Sequence, residues 1–108
     1  MFGGFKKKLD EAKEKATEVK ERLNSVYVRG LSSDSSVEII MSANREVSEV
    51  NLSDNYHEQS KESLSRNIQQ AMSDAIVKAD SVNASEMQAV TKEYMPNIPG
   101  MDMSKLFS

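Results

Sequence analysis

The hydrophobic period of this chain changes twice along its length, and this constrains the fold more than any other feature. Apolar residues spaced by three or four positions make up the first stretch: Phe5, Leu9, Ala12, Ala16, Val19 and Leu23. That spacing places one apolar stripe along a helix of about five turns. Between residues 26 and 52 apolar and polar residues alternate instead, which is typical of strands. A helix followed by a sheet is therefore expected.

Three short alternating runs predict three strands. Their apolar members are Val26 and Val28, then Val37, Ile39 and Met41, and finally Val50 and Leu52. A serine-rich break from Gly30 through Ser36 separates the first two runs, and Ala43-Asn44-Arg45 separates the second from the third. These connections are too short for parallel crossovers, so we expect an antiparallel meander.

The helical period returns after about Glu58 and continues without Gly or Pro up to Pro96. A helix of some 30 residues is about 45 Å long, whereas such strands reach only about 20 Å. The sheet therefore cannot cover the whole helix, and we expect a second copy to complete a two-fold dimer. The expected interface residues share the apolar face of this helix: Leu64, Ile68, Met72, Ala75, Ile76 and Ala79.

These elements predict an α+β fold of the order α-β-β-β-α, with a small antiparallel three-stranded sheet between a first amphipathic helix and a long second helix. We expect one domain over residues 1–94. Residues 95–108 form a tail rich in Pro, Gly and Met, to which we assign no structure. The chain has 108 residues, of which 38% are hydrophobic, so its core is small for a monomer.

The residue types that catalysis requires are scarce. There is no Cys, so disulfides and thiolate metal sites are excluded. No catalytic triad motif appears, and the single His, His57, lies in the polar entry to the second helix, where we interpret it as a solvated residue. We therefore expect no enzymatic activity, no cofactor, no metal and no small-molecule substrate. No apolar run approaches the roughly 20 residues of a membrane span. The absence of Cys also fits a reducing cytoplasm.

The charges are distributed unevenly along the chain. Residues 1–30 hold 8 Lys or Arg against 5 Asp or Glu, and the remainder holds 6 against 12. On a helix, the basic residues Lys6, Lys13, Lys20, Lys8, Lys15 and Arg22 flank the apolar stripe on both sides. They either pair with acidic residues of the second helix or face an anionic partner such as duplex DNA.

The outward side of the first helix is acidic, with Asp10, Glu11, Glu14, Glu18 and Glu21 against Lys7 as the only cation. DNA should not lie along that side. The candidate DNA contacts are therefore the cluster at the helix start and the cations at the edges of the stripe: Lys6, Lys7, Lys8, Lys13, Lys15 and Arg22. Clustered lysines without a base-reading motif predict phosphate contacts with little sequence specificity.

Several short motifs, in this order and spacing, resemble the YbaB/EbfC family of bacterial nucleoid-associated proteins. They are Met1-Phe2-Gly3, Val28-Arg29-Gly30, Val37-Glu38-Ile39, Val50-Asn51-Leu52, Lys61-Glu62-Ser63-Leu64, Ala71-Met72-Ser73-Asp74-Ala75 and Pro99-Gly100-Met101. The chain departs from the family pattern at Ser36, where a glycine is common, at the turn Ala43-Asn44, and at Ser73, where the family has Asn.

The resemblance implies an α-β-β-β-α fold, a tweezer-like homodimer and binding to double-stranded DNA in the bacterial cytoplasm and nucleoid, with effects on nucleoid organisation and gene expression.

Two other hypotheses remain. One is a non-enzymatic adaptor or chaperone-like dimer without DNA binding, which uses the long helix and the Met-rich tail. The weaker one is that Phe2, Phe5 and the first lysines contact an anionic membrane surface, which the acidic outer side of the helix disfavours.

Overall fold

The computed structural model describes residues 2–94 and confirms the expected α-β-β-β-α order. The elements are α1 (Phe2–Leu23), β1 (Tyr27–Leu31), β2 (Val37–Ser42), β3 (Val47–Leu52), a short 3-10 turn (Tyr56–Glu58) and α2 (Lys61–Tyr94). The expected tail at 95–108 and the side chains of Phe2 and Phe5 lie outside the described part.

The three strands form an antiparallel sheet in the order β1-β2-β3. Gly30 lies opposite Ile39, and Ile39 lies opposite Val50 in the next strand. A bulge interrupts the second ladder between Ile40 and Met41. The strand β1 includes Gly30 and Leu31, which the sequence analysis placed in the turn. That boundary was wrong because glycine was interpreted as a strand breaker.

The start of α2 is set by a serine. The Ser60 hydroxyl accepts a hydrogen bond from the backbone N–H of Ser63 at 3.0 Å, which satisfies one of the free N–H groups of the first turn. The helix therefore begins at Lys61, and the segment near Glu58, where the sequence analysis began the helix, forms the 3-10 turn instead.

The main core lies between the sheet and the first half of α2. Its fully buried members are Val37, Ile39 and Met41 from β2 and Ala71, Ala75 and Ala79 from α2. Small alanine side chains allow α2 to lie very close to β1. A Cβ atom built onto Gly30 would lie 2.6 Å from the Cβ of Ala75, so this strand position admits only glycine.

The second half of α2 extends beyond the sheet and packs against α1. Ala16, Val19 and Leu23 of α1 form a buried cluster with Met87 and Val90 of α2. We call this helix pair the arm. The apolar part of α2 that the sheet cannot reach thus packs against α1 within the chain, and the two-fold dimer stays a prediction.

The β1–β2 turn is fastened to α2 through Asp34. Its carboxylate accepts hydrogen bonds from the Ser36 backbone N–H at 3.0 Å, the Ser32 hydroxyl at 2.8 Å and the Asn67 amide at 3.2 Å. Bonds from the Ser36 N–H and from the Ser36 and Ser32 side chains stabilise the ionised form and lower the pKa of Asp34 from 3.8 to about 2.

We predict that Gly30→Ala lowers the free energy of unfolding by about 3 kcal/mol, because the added methyl group forces α2 away from β1. Urea denaturation followed by circular dichroism measures this loss. Gly4→Ala is the matched control, since no atom lies within 4 Å of a Cβ at Gly4. Equal effects of the two substitutions would contradict the close-contact explanation.

We also predict that Asp34 stabilises the fold above about pH 4 and loses this effect as the pH falls toward about 2, because its folded-state pKa is the lower one. The difference in unfolding free energy between wild type and Asp34→Ala should be constant from pH 5 to 7 and shrink below pH 4. Asp54→Ala, at an exposed carboxylate, is the control. A difference that stays unchanged down to pH 2 would contradict the assignment.

Candidate nucleic-acid interface

The buried stripe of α1 fixes which way its lysines point. Ala12, Ala16, Val19 and Leu23 are buried against the rest of the chain. Since a helix turns by about 100° per residue, residues 6, 13 and 20 lie along one side of this stripe, and residues 8, 15 and 22 lie along the other. Both basic rows therefore border the contact between α1 and α2, as the sequence analysis expected for residues that flank the apolar stripe.

Two of the candidate DNA contacts are engaged in ion pairs. Arg22 pairs with Glu86 of α2, and Lys15 Nζ lies 3.3 Å from Glu18 Oε2. The Arg22 pair matches the alternative in which cations of α1 pair with acidic residues of α2. All four side chains are substantially exposed, and such pairs contribute only about 0–1 kcal/mol. Arg22 and Lys15 can therefore exchange their carboxylate partners for phosphates at little cost.

The other lysines of α1 form no ion pair within residues 2–94. Lys6, Lys7 and Lys8 are exposed and form what we call the basic tip. Lys13 and Lys20 are also exposed and continue from Lys6 along one side of the helix. Their seven-residue spacing separates successive positions by about 10 Å along the helix axis.

The sequence analysis placed Lys20 at the edge of the stripe but left it out of the DNA contacts. The signal that could have included it is the seven-residue spacing that places Lys6, Lys13 and Lys20 along one side of the helix. The outer side of α1 carries exposed carboxylates: Asp10, Glu11, Glu14, Glu18 and Glu21. A polyanion can therefore approach α1 at its tip or along the row of Lys6, Lys13 and Lys20.

The β2–β3 turn is hydrogen-bonded to the end of α1 and to α2. The Asn44 amide donates to the Lys20 carbonyl at 2.6 Å and to the Asn24 side-chain oxygen at 2.7 Å. Asn83 of α2 donates in turn to the Asn44 side-chain oxygen at 3.2 Å. The turn residue Asn44, at one of the departures from the family pattern, thus joins the end of α1 to the middle of α2.

The predicted dimer residues occupy different environments. Ala75 and Ala79 are fully buried against the sheet of their own chain, and Leu64, Ile68 and Met72 are half-buried beside the same core. Ile76 is 37% exposed. The sequence analysis did not identify the exposed apolar side chains of β3, Val47, Val50 and Leu52, because alternation alone does not tell a covered strand from an uncovered one.

Other kinds of site find little support in the described part of the chain. His57 lies on the exposed 3-10 turn, where its ring stands edge-on to Tyr56 with centroids 5.7 Å apart. Within residues 2–94 no three His, Asp or Glu side chains come together in a way that could hold a metal ion. None of the helices described is long and apolar enough to cross a membrane.

Comparison with known proteins bears on both the family and the fold of this chain. The family model of the YbaB/EbfC DNA-binding family matches residues 1–95. The chain belongs to this family. A nucleoid-associated protein of Flavobacterium johnsoniae is 37% identical over 92% of both chains, and one of Gloeothece citriformis is 34% identical over 93% of both. These relatives confirm the resemblance read from the sequence motifs.

A solved structure shares the fold of this YbaB/EbfC family member. It is the crystal structure of an uncharacterized protein from Helicobacter pylori, which superposes with a TM-score of 0.65 and 18% sequence identity over 78% of this chain and 86% of that chain. At this identity the likeness supports the helix, three-stranded sheet and long helix alone.

We predict that Asn44→Ala loosens the arm more than the sheet. It removes the donor to the Lys20 carbonyl and leaves Asn83 with fewer partners, which should lower the unfolding free energy by about 1–2 kcal/mol. Hydrogen exchange should show faster exchange of α1 amides than of β2 amides. Gln69→Ala, at an exposed position of α2, is the control. Uniformly faster exchange across both elements would contradict this role of Asn44.

Proposed function

We propose that this protein is a nucleoid-associated protein that binds double-stranded DNA as a homodimer, through phosphate contacts and with little sequence specificity. In this role it influences nucleoid organisation and gene expression in the bacterial cytoplasm. The observation that carries the proposal is the set of exposed α1 lysines outside ion pairs in a member of a DNA-binding family.

The contacts we assign to DNA are the basic tip, Lys13 and Lys20, with Lys15 and Arg22 joining when they leave their carboxylate partners. Lysine is a compact charge on a flexible stem, so it binds phosphate without reading base edges. The exposed residues beside these lysines are acidic. They do not form a group of Asn, Gln and Arg side chains of the kind that reads base edges in a groove. Binding should therefore depend steeply on salt and weakly on sequence.

The acidic outer side of α1 restricts the direction from which a DNA duplex can approach this helix. Phosphates are repelled from the side that carries Glu14 and Glu21, so the duplex meets the tip and the edge of the arm. One tip offers few charges, and a single copy should bind weakly. A homodimer presents two tips to one duplex, and the second contact then forms at a high effective concentration.

A non-enzymatic protein-interaction adaptor without DNA binding is the second candidate. The observation that favours it is the exposed apolar surface of β3, where Val50 is 51% exposed, since surface of this kind marks interaction sites. Co-purification of a stoichiometric protein partner, free of nucleic acid, would favour the adaptor.

We predict that changing Lys6, Lys7 and Lys8 together to Ala weakens binding to a duplex of about 30 base pairs at least tenfold at about 50 mM salt. The slope of log K against log salt should become shallower by up to about 2.7, since each phosphate contact contributes roughly 0.9. Fluorescence anisotropy at several salt concentrations measures both quantities. The double variant of Lys13 and Lys20 should show a smaller loss in the same direction.

The control variant changes Lys61 and Arg66 to Ala. Both are exposed cations at the start of α2, so the control also removes positive charge while leaving α1 intact. It should bind within about twofold of wild type. A wild-type protein that fails to shift DNA even at low salt, or a control that loses as much affinity as the tip variant, would overturn the assignment to α1.

A further inference from the structure

The β2–β3 turn holds an arginine in a backbone conformation that suits glycine. Arg45 has a φ angle of 68°, in the left-handed region, where residues other than Gly, Asn and Asp are uncommon. Within residues 2–94 one other non-glycine residue has a positive φ, Ser35 of the β1–β2 turn, and it carries no charge. Residues held in disfavoured conformations cluster at functional sites, so the side chain of Arg45 calls for a role.

The turn itself does not need an arginine at this position. The Arg45 backbone N–H donates to the Ser42 carbonyl, and the Ser42 N–H donates to the Glu46 carbonyl, both at 2.8 Å. The Ser42 hydroxyl accepts from the backbone N–H groups of Asn44 and Glu46, each at 3.2 Å. Main-chain groups and the Ser42 hydroxyl make all of these bonds. Glycine at position 45 would therefore keep them, without the steric cost of a Cβ atom.

The guanidinium of Arg45 pairs with the carboxylate of Asp80 on α2. The side chains of Arg45 and Asp80 are 51% and 56% exposed, and so exposed an ion pair contributes little to stability. A guanidinium has five N–H donors, and within residues 2–94 only Nη1 of Arg45 donates a hydrogen bond. The ion pair therefore does not explain the arginine, and most of its donors are left for another anion.

The turn lies against the end of α1 that carries Lys20. The Asn44 amide donates to the Lys20 carbonyl at 2.6 Å. Helix carbonyls point toward the C-terminal end of their helix, so Asn44 lies just past Lys20 along the axis of α1. Arg45 is the next residue of the turn. A second kind of cation thus follows the last lysine of the exposed row on α1.

Two ion pairs show on which side of the arm Arg45 lies. The face of α2 that meets α1 and the turn runs through Asn83, Met87 and Val90. At about 100° per residue, Glu86 lies on one flank of that face and Asp80 on the other. Arg22 pairs with Glu86, so its row of cations borders the first flank, and the row that ends at Lys20 borders the second. Arg45, which pairs with Asp80, therefore lies on the same side of the arm as Lys20.

We propose that Arg45 is a phosphate contact for DNA, which extends the row of Lys6, Lys13 and Lys20 from α1 onto the β2–β3 turn. This assignment rests on the proposed function and adds to it a contact outside α1. Lys6 and Lys20 are separated by about 21 Å along the helix axis. With Arg45 beyond Lys20, four cations from two separate parts of the fold form one continuous basic edge.

An arginine adds to this edge what its lysines lack. A guanidinium can donate two parallel hydrogen bonds to one phosphate, whereas an ammonium binds it as a point charge. Before DNA arrives, Asp80 balances the charge of Arg45, and a phosphate then replaces this carboxylate. Asp80 is therefore a competitor of DNA for the guanidinium.

The alternative role for Arg45 is to tie the turn to α2 through Asp80. The two roles predict different results for Arg45→Gly. Glycine adopts the left-handed conformation freely, so removal of a DNA contact should leave the fold at least as stable as wild type. Removal of a structural tie should instead lower stability and leave DNA affinity unchanged.

The first test is the affinity of Arg45→Gly for a duplex of about 30 base pairs. Fluorescence anisotropy at about 50 mM salt should show binding weaker than wild type by roughly fivefold to tenfold, and the slope of log K against log salt should become shallower by about 0.9 for each bound copy. The midpoint of urea denaturation should equal or exceed that of wild type. Arg45→Lys keeps the charge and should retain most of the affinity.

The matched control is Arg66→Ala, which removes one exposed arginine from the start of α2. It lowers the net charge by the same amount as Arg45→Gly, and its affinity should stay within about twofold of wild type. A control that loses as much affinity as Arg45→Gly would show that net charge, rather than the position of Arg45, governs binding, and the assignment would fall.

The second test removes the competing carboxylate. Asp80→Asn should strengthen DNA binding severalfold in the wild-type background, because Arg45 then lacks its partner within the chain. In the Arg45→Gly background the same substitution should change affinity by less than about twofold. Equal effects of Asp80→Asn in both backgrounds would contradict the competition, since the two residues would then act independently.

The tests also separate this assignment from the proposed function. If the variant with Lys6, Lys7 and Lys8 changed to Ala loses affinity while Arg45→Gly binds as wild type does, DNA binding through α1 stands and Arg45 is not a contact. A lower urea midpoint together with a lower affinity of Arg45→Gly would make Arg45 a structural residue and also refute the assignment. If wild type itself fails to bind DNA at about 50 mM salt, the proposed function fails, and the assignment of Arg45 fails with it.

Discussion

The close contact of α2 with β1 holds the rest of the structure in place. Gly30 leaves room for Ala71 and Ala75 to lie directly on the strand, and Asp74 and Lys78 of the same helical turns bond to the strand backbone. With α2 fixed over β1 and β2, its second half must extend past the sheet. Helix α1 packs against this second half of α2. The arm therefore depends on how the alanine face of α2 is positioned on the sheet.

The same placement explains the distribution of charged and apolar surface. The apolar stripe of α1 is buried against the second half of α2. The lysines of α1 therefore lie at the edges of this contact, and its acidic residues lie on the outer side. At the other end of the molecule, α2 lies too far toward β1 to cover β3. The basic tip and the exposed apolar residues of β3 are therefore separate surfaces of the chain.

Hydrophobic periodicity predicted the helices and strands well, but it predicted less well which element packs against each apolar face. The alternation around Val37, Ile39 and Met41 identified the central strand, and the stripe from Leu9 to Leu23 identified α1. The sequence analysis took the part of the α2 face beyond the sheet as evidence for a second copy, whereas in the structure α1 packs against that part. Periodicity reports that a face is apolar, but the neighbour that buries it depends on the path of the chain in three dimensions.

The sequence by itself determined the order of the elements, the family and the clustering of cations at the start of α1. Those properties follow from residue spacing and local charge, which need no knowledge of distant contacts. Only the tertiary structure decided that Arg22 pairs with Glu86 and Lys20 does not pair within residues 2–94, that Asn44 joins α1 to α2, and that Asp74 and Lys78 bond to the backbone of β1. Each of these depends on residues far apart in the chain that packing brings within a few ångströms.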